Sequence, residues 1–137
     1  MILFVYGTLT FPEIVQALTG KHFRSEAAVL EGYSVRKLAD WPYPGLVPSA
    51  GEVTHGLVLY DVDEASFQII EAWEANGYQP EQVTVAVGDK PVEASTYRWL
   101  REVEPEIWDR GFFKERFLKD YVDRVIPGFK ARLTAQP

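Results

Sequence analysis

One acidic residue, Glu74, lies on the apolar side of a helix predicted over residues 64–75. On a helical wheel of about 100° per residue, Glu74 falls between Phe67 and Ile70. A carboxyl group on a buried face, in the last turn of a helix, is expected to have a raised pKa, because desolvation and the negative end of the helix dipole both disfavour its charge. Such a group can act as a general base near neutral pH. The alternative is a carboxylate at the rim of the core, hydrated or paired with an arginine.

A second candidate is the four-residue turn formed by Tyr6, Gly7, Thr8 and Leu9, between an N-terminal strand and a helix. A glycine at this position lets the main chain come close to a ligand. Free amide groups ahead of a helix can bind an anion or a developing oxyanion. The pattern also fits an ordinary strand-to-helix connection, and its place at the end of a buried strand is what makes it a candidate.

The other reactive residue types offer neither a nucleophile nor a metal site. The chain has no cysteine, its serines lie in no nucleophile-elbow context, and His22 and His55 are isolated from each other and from clustered carboxylates. We therefore expect no metal and no cofactor. The nucleophile should come from the substrate or from water, and intramolecular attack is favoured because it needs only a base and an orienting pocket. Tyr43, Tyr78 and Tyr97 could supply pocket hydroxyls or belong to the core.

Composition limits the classes of partner. The chain has 137 residues, 47% of them apolar, and a formal net charge of −6, which fits one domain over residues 1–137 and argues against a nucleic-acid partner. No apolar run is long enough to span a membrane. We expect a cytoplasmic protein, a monomer or weak homodimer, whose partner is a small molecule.

The elements that must position the candidate residues mix strands and helices. Residues 1–6 form a continuous apolar run, predicted as a buried strand. The helix that follows is predicted to be capped by Thr10 and ended by Gly20. Asp63 is the predicted N-cap of the helix that carries the glutamate.

The rest of the chain reads mostly as strand, with one helical region at its end. Gly32 is predicted as a bulge or a close approach. The last helical region, over residues 105–125, is predicted to be interrupted at Gly111 and stopped by Pro127. Because no βαβα rhythm is present, the fold class is α+β. Strands are predicted over residues 27–38, 55–62, 83–87 and 92–100, with an irregular loop over residues 40–48.

Four short segments form a recognisable series: FVYGTL at residues 4–9, YPGLVP at residues 43–48, VTHGLVLY at residues 53–60, and IEAWE at residues 70–74 followed by Tyr78. In this order they resemble segments of the gamma-glutamylcyclotransferase-like superfamily, which includes the gamma-glutamylamine cyclotransferases and the plant avirulence-induced proteins. The matches span residues 2–87, and the aromatic helix over residues 112–125 is similar to that of the plant-type branch.

The resemblance implies a small mixed β-barrel flanked by helices and an acyltransferase that uses no cofactor. It implies that Glu74 accepts a proton from the substrate's α-amine, which attacks the γ-glutamyl carbonyl, releases an amine and yields 5-oxoproline. The substrate-binding residues that it implies are Tyr6, Gly7, Thr8, Leu9, Gly45 and Tyr78.

Two other functions remain open on the sequence alone. A non-catalytic module for a small metabolite would retain the same pocket and turn nothing over. A hydrolase would use Glu74 to activate water, with Glu71 beside it. The sequence also departs from the family pattern near Tyr78, where the frequent arginine is missing and Glu81 is expected to disfavour an anionic leaving group.

Overall fold

The computed structural model describes residues 1–135, in which five strands close into a barrel in the order β1-β3-β2-β4-β5. Strand β1 runs parallel to β5, and the remaining neighbours are antiparallel. This is the predicted α+β architecture, a mixed barrel with flanking helices. The strands are β1 (Leu3–Val5), β2 (Ser25–Arg36), β3 (Gly45–Leu59), β4 (Tyr78–Val87) and β5 (Lys90–Trp99).

The helices pack on the outside of the barrel, against the outward-facing side chains of β1. None of those within residues 1–135 is long and apolar enough to cross a bilayer. The helical segments are a 3-10 turn (Thr8–Thr10), α1 (Pro12–Thr19), α2 (Glu64–Trp73), α3 (Arg110–Arg116), α4 (Leu118–Asp120), a π-helical turn (Tyr121–Val125) and α5 (Ile126–Ala135).

Strand β1 contributes to two separate cores because its side chains alternate between the two faces of the sheet. Phe4 packs inside the barrel with apolar residues from the other four strands. Leu3 and Val5 face the other way and pack against the helices in the larger core. All three residues are buried, which explains the apolar centre of the predicted strand, although the strand itself is limited to Leu3–Val5 and Met1 is exposed.

Helix ends agree with the sequence prediction in two cases and differ in a third. Asp63 caps α2 by accepting a hydrogen bond from the amide of Ser66 at 3.2 Å, and Gly20 ends α1 in the left-handed conformation. The predicted capping role of Thr10 is wrong. Its hydroxyl donates instead to the carbonyl oxygen of Gly7 at 2.6 Å, and Phe11 occupies the N-cap position of α1.

The predicted loop over residues 40–48 is shorter than expected, because β3 begins at Gly45 and pairs with Arg36 of β2. Pro48 lies within this strand, opposite Tyr33. Of its two sheet neighbours only β2 pairs with β3 at this position, because β1 pairs with the far end of β3, so Pro48 lies where the other side of the strand is an edge that tolerates a proline. The predicted bulge at Gly32 is confirmed by a register shift and a positive φ of 82°.

The C-terminal helical region also differs from the prediction. Its first helix begins at Arg110, later than expected, and Pro127 does not stop it, since α5 continues to Ala135. The π-helical turn lies directly before α5 and breaks the regular hydrogen-bond pattern. Pro127 therefore occupies the first turn of a new helical segment, where its missing N–H is tolerated.

A test of the barrel packing is provided by Gly56 of β3. A Cβ atom there would overlap the carbonyl oxygen of Val5 and lie 2.8 Å from the Phe4 ring. We expect Gly56→Ala to lower the free energy of unfolding by about 1–3 kcal/mol, measured by urea denaturation. The matched control is Gly128→Ala in α5, where the nearest atom is Nη1 of Arg132 at 3.5 Å. This control should be neutral or stabilise the protein by up to about 1 kcal/mol, and equal losses in both variants would contradict the packing described.

Candidate active site

Glu74 lies at one end of the barrel, where α2 terminates. It is the C-cap of that helix, and its amide donates to the carbonyl oxygen of Ile70 at 2.9 Å. Ile70 is fully buried and holds the end of α2 against the barrel. The Glu74 side chain is half-buried and lines a narrow cavity, hereafter the inner cavity. The Glu74 side chain therefore points toward the barrel, as the helical wheel predicts, although Glu74 is the C-cap of the helix and not one of its internal residues.

The inner cavity brings together segments that are far apart in the chain. One wall is made by residues 4–9, which include Tyr6, Gly7, Thr8 and Leu9. The other lining residues are Pro44, Glu74, Tyr78 and Tyr97.

Burial raises the pKa of the Glu74 carboxyl group from its ordinary value of 4.5 to about 8. Desolvation is the cause, because the charged form would lose water without gaining a compensating cation. No side chain within residues 1–135 donates a hydrogen bond to this carboxyl group, and none forms an ion pair with it. At neutral pH the group is mostly protonated, and it can exchange its proton near the pH at which cells operate.

The turn opposite Glu74 leaves several amide groups without main-chain partners. The carbonyl oxygen of Gly7 accepts hydrogen bonds from the amide and the hydroxyl of Thr10. Within residues 1–135, the amides of Gly7, Thr8 and Leu9 donate to no main-chain acceptor. Such amides can bind an anion or a polarised carbonyl oxygen.

Gly7 is required by a close approach between the turn and the segment before β3. A Cβ atom at this position would lie 2.6 Å from Cγ of Pro44. The missing side chain therefore lets the turn pack directly on the segment before β3. This contact narrows the inner cavity from the side of Pro44.

Two tyrosine hydroxyls connect the walls of the inner cavity. The hydroxyl of Tyr6 donates to the carbonyl oxygen of Tyr97 at 2.7 Å, and that of Tyr78 donates to the carbonyl oxygen of Pro44 at 2.5 Å. Burial, and the nearby Glu74 carboxyl group, raise the pKa of both phenols well above 10. Both hydroxyls therefore keep their protons. The oxygen of Tyr6 faces the main-chain amide of Leu46, whereas that of Tyr78, whose proton is already donated, can accept a hydrogen bond from a ligand.

Tyr97 contributes a hydroxyl that the structure leaves without a partner within residues 1–135. The residue is buried, lines the inner cavity, and its ring stacks on Phe67 at 6.3 Å. Because a buried hydroxyl normally finds a partner, Tyr97 is available to bond to a ligand. From the sequence, Tyr97 was one of three candidate pocket hydroxyls. Its place beside the turn and α2 could not be predicted, because both are far from it in the sequence.

One predicted substrate-binding residue, Gly45, does not line the inner cavity. It is buried beneath Trp99, whose Cγ would lie 2.7 Å from a Cβ at this position. The neighbouring Pro44 lines the cavity instead, so the effect of Gly45 on the site is indirect, through the packing of its segment.

Glu81 also lies away from the inner cavity, contrary to expectation. Its carboxylate accepts a hydrogen bond from Tyr33 at 2.8 Å and pairs with Arg98 at 3.5 Å. It therefore contributes no negative charge to the cavity wall. Within the described part of the chain, no three His, Asp or Glu side chains converge on a point that could hold a metal ion.

The closed five-stranded barrel, with helices flanking it and a buried carboxyl group at one end, has the fold of the gamma-glutamyl cyclotransferases. The crystal structure of a yeast gamma-glutamyl cyclotransferase specific to glutathione superposes with a TM-score of 0.56 at 16% identity, over 77% of this chain and 73% of that one. A solution structure of an Arabidopsis thaliana protein superposes with a TM-score of 0.70 at 25% identity, over 99% of this chain and 93% of that one.

Sequence comparison gives the family. The profile described as gamma-glutamyl cyclotransferase, AIG2-like, matches residues 3–114. The Arabidopsis thaliana protein AIG2 C is 31% identical over 116 residues, which cover 82% of this chain and 69% of that protein. The chain therefore belongs to the AIG2-like family of gamma-glutamyl cyclotransferases.

The raised pKa of Glu74 leads to a test that needs no substrate. Between about pH 4.5 and pH 8 the folded protein holds a proton that the unfolded chain releases. The free energy of unfolding should therefore fall as pH rises through this interval, by up to roughly 1.4 kcal/mol per pH unit, relative to a chain without the carboxyl group. We expect Glu74→Gln to be increasingly stabilised over wild type as pH rises, measured by urea denaturation at about pH 5 and about pH 8.

The matched control for this test is Glu71→Gln, which removes an exposed carboxylate one turn earlier on α2. Its stability relative to wild type should change much less between the two pH values. A pH-independent difference between Glu74→Gln and wild type would show that the carboxyl group is hydrated in the folded protein.

Proposed function

We propose that the protein is a gamma-glutamyl cyclotransferase in which Glu74 is the general acid and base. The observation that carries this proposal is the position of one carboxyl group, with a pKa raised to about 8, in the same cavity as the free amides of residues 7–9. Membership of the family and the cyclotransferase fold support it independently.

The reaction needs one base and one oriented substrate. The ionised carboxylate of Glu74 takes a proton from the α-amine of a γ-glutamyl amide, and the amine nitrogen attacks the γ-carbonyl carbon. A five-membered ring closes as the new C–N bond forms. The tetrahedral intermediate then collapses, the original amide C–N bond breaks, and Glu74 returns the proton to the departing nitrogen. The products are 5-oxoproline and a free amine, and Glu74 is again ionised.

The turn and the tyrosines have complementary roles in this proposal. The amides of residues 7–9 bind the negative groups, either the α-carboxylate of the glutamyl moiety or the oxygen that becomes negative during attack. The oxygen of Tyr78 accepts a hydrogen bond from the α-amine, because its own proton is donated to the carbonyl oxygen of Pro44, and Tyr6 forms the adjoining wall. Together these contacts place the amine beside the carboxylate and the carbonyl beside the amides.

Removing the Glu74 carboxyl group tests its role directly. We expect Glu74→Gln to lower kcat/KM for 5-oxoproline release by about 10²-fold or more, since this is the usual scale for a deleted acid or base. The measurement is the release of 5-oxoproline, identified by mass, from a panel of γ-glutamyl amides and dipeptides. Glu71→Gln is the control and should retain activity, because its side chain is exposed and lines neither the inner cavity nor the groove beside it.

The product distinguishes the proposed reaction from its competitors. Release of glutamate instead of 5-oxoproline would indicate a hydrolase in which the same carboxylate activates water. Binding of 5-oxoproline or γ-glutamyl compounds without turnover of any member of the panel would indicate a binding module. Full activity in Glu74→Gln would remove Glu74 from the mechanism.

The pH dependence of the rate follows from the same carboxyl group. Because the base must be ionised to accept a proton, kcat/KM should rise with pH to a plateau with an apparent pKa of about 8. The pKa of the substrate's own α-ammonium group is measured separately, and each kcat/KM value is divided by the fraction of substrate whose amine is unprotonated at that pH. A corrected profile whose midpoint lies at the ordinary carboxyl value of 4.5 would contradict the burial of Glu74 as the source of its function.

A further inference from the structure

A second and wider cavity, hereafter the outer groove, begins where the inner cavity ends. Thr8, Glu74 and Tyr78 line both, so the two spaces meet at the carboxyl group. The inner cavity is narrow and residues 4–9 form one of its walls, whereas the outer groove is much larger. A substrate whose scissile bond lies at Glu74 must therefore extend into the outer groove.

The walls of the outer groove are mainly aromatic. Trp73, Tyr121 and Phe129 form one side, with the edge of Trp73 packed against Phe129 at 5.1 Å and against Tyr121 at 6.0 Å. Trp41 and Tyr43 form the other side and stack on each other at 5.7 Å. These mutual contacts hold the rings in place before any ligand binds, which lowers the entropy cost of receiving one.

The π-helical turn directs part of this surface into the groove. Tyr121 and Val125, the first and last residues of the turn, both line it. A π-helical turn inserts one extra residue per turn and so changes which side chains share a face. Tyr121 packs against Phe113 in the core and also reaches the groove.

The outer groove has few charged lining residues. Apart from Glu74, its one charged lining residue within the described chain is Arg132 of α5, which is exposed. No ion pair joins Arg132 to any residue within 1–135. A ligand that carried a positive group at its far end would meet this guanidinium and be repelled, whereas a neutral ring would meet only aromatic surface.

We propose that the outer groove is the subsite for the leaving amine and that it selects γ-glutamyl amides of alkylamines that carry an aromatic ring and no second positive charge. This inference rests on the proposed function, because Glu74 must return its proton to the departing nitrogen. That nitrogen then lies where the two cavities meet, and its substituent extends along Trp73 and Phe129.

The test compares two neutral substrates that differ only in a ring, γ-glutamyl phenethylamide and γ-glutamyl ethylamide. Burial of the ring should raise kcat/KM for the phenethylamide by roughly 10- to 100-fold. Phe129→Leu and Trp41→Ala should each reduce this preference several-fold. Trp41 is 57% exposed, so its removal leaves the fold intact even where Phe129→Leu destabilises α5.

The matched control is Phe112→Leu, an exposed aromatic residue that lies outside the outer groove. It should leave the preference for the ring unchanged. A second comparison tests the effect of charge with γ-glutamyl butylamide and γ-glutamyl 4-aminobutylamide. The butylamide, which lacks the second positive charge, should have the higher kcat/KM, and Arg132→Gln should reduce the difference in kcat/KM between the two. Equal rates for the phenethylamide and the ethylamide, or a preference that survives both groove variants, would overturn the inference.

Binding measurements separate this inference from the proposed function. The affinities of the phenethylamide and the ethylamide are measured by calorimetry on the Glu74→Gln variant, which retains the groove. If no γ-glutamyl amide is turned over by the wild type, the proposed function fails, while tighter binding of the phenethylamide that is lost in Trp41→Ala still supports the subsite. Turnover of both amides without any difference in rate or affinity would leave the function in place and refute the subsite.

Discussion

The site depends on the exclusion of water from a single carboxyl group. Glu74 ends a helix whose capped start and buried Ile70 fix it against the barrel, and its half-buried side chain lines the inner cavity, where desolvation disfavours the charged form. A carboxylate at a helix surface would ionise near pH 4.5 and be too weak a base for an amine. The same group, desolvated and without a cation beside it, has a pKa of about 8, which is the property that the proposed reaction requires of its base, and the raised pKa lowers the stability of the folded protein as pH rises.

Closure of the barrel brings the remaining parts of the site to that carboxyl group. The turn at residues 6–9 follows β1, Tyr78 begins β4, and Tyr97 lies near the end of β5. These three strand ends lie at the same end of the barrel, because closure places β1 between β3 and β5. The hydroxyl of Tyr6 then reaches the carbonyl oxygen of Tyr97, 91 residues away, and the hydroxyl of Tyr78 reaches Pro44. Packing, rather than proximity in sequence, positions each group.

Much of the fold and the centre of the site could be predicted from the sequence because they depend on local patterns. The apolar run of β1, the cap at Asp63 and the position of Glu74 on its helix each follow from periodicity within a short segment. The differences have non-local causes. Gly45, which the resemblance implies as a substrate-binding residue, lies outside the inner cavity, because it packs against Trp99 of a distant strand. Pro127 was expected to end the last helix, but the π-helical turn before it accommodates the proline. The outer groove combines four distant parts of the chain, so no single segment indicated it.

The parallel contact between β1 and β5 has a consequence for how ligand binding and folding are coupled. This contact is a single register pair, Leu3 with Ser95, and it seals the cylinder between the first and the last strand. Opening that seam would move the turn after β1 away from Tyr97 and dismantle the pocket. A metabolite that occupies the pocket therefore binds the sealed cylinder and not the open sheet, and by mass action it favours the sealed form. Occupancy by a small molecule thus protects the seam between β1 and β5.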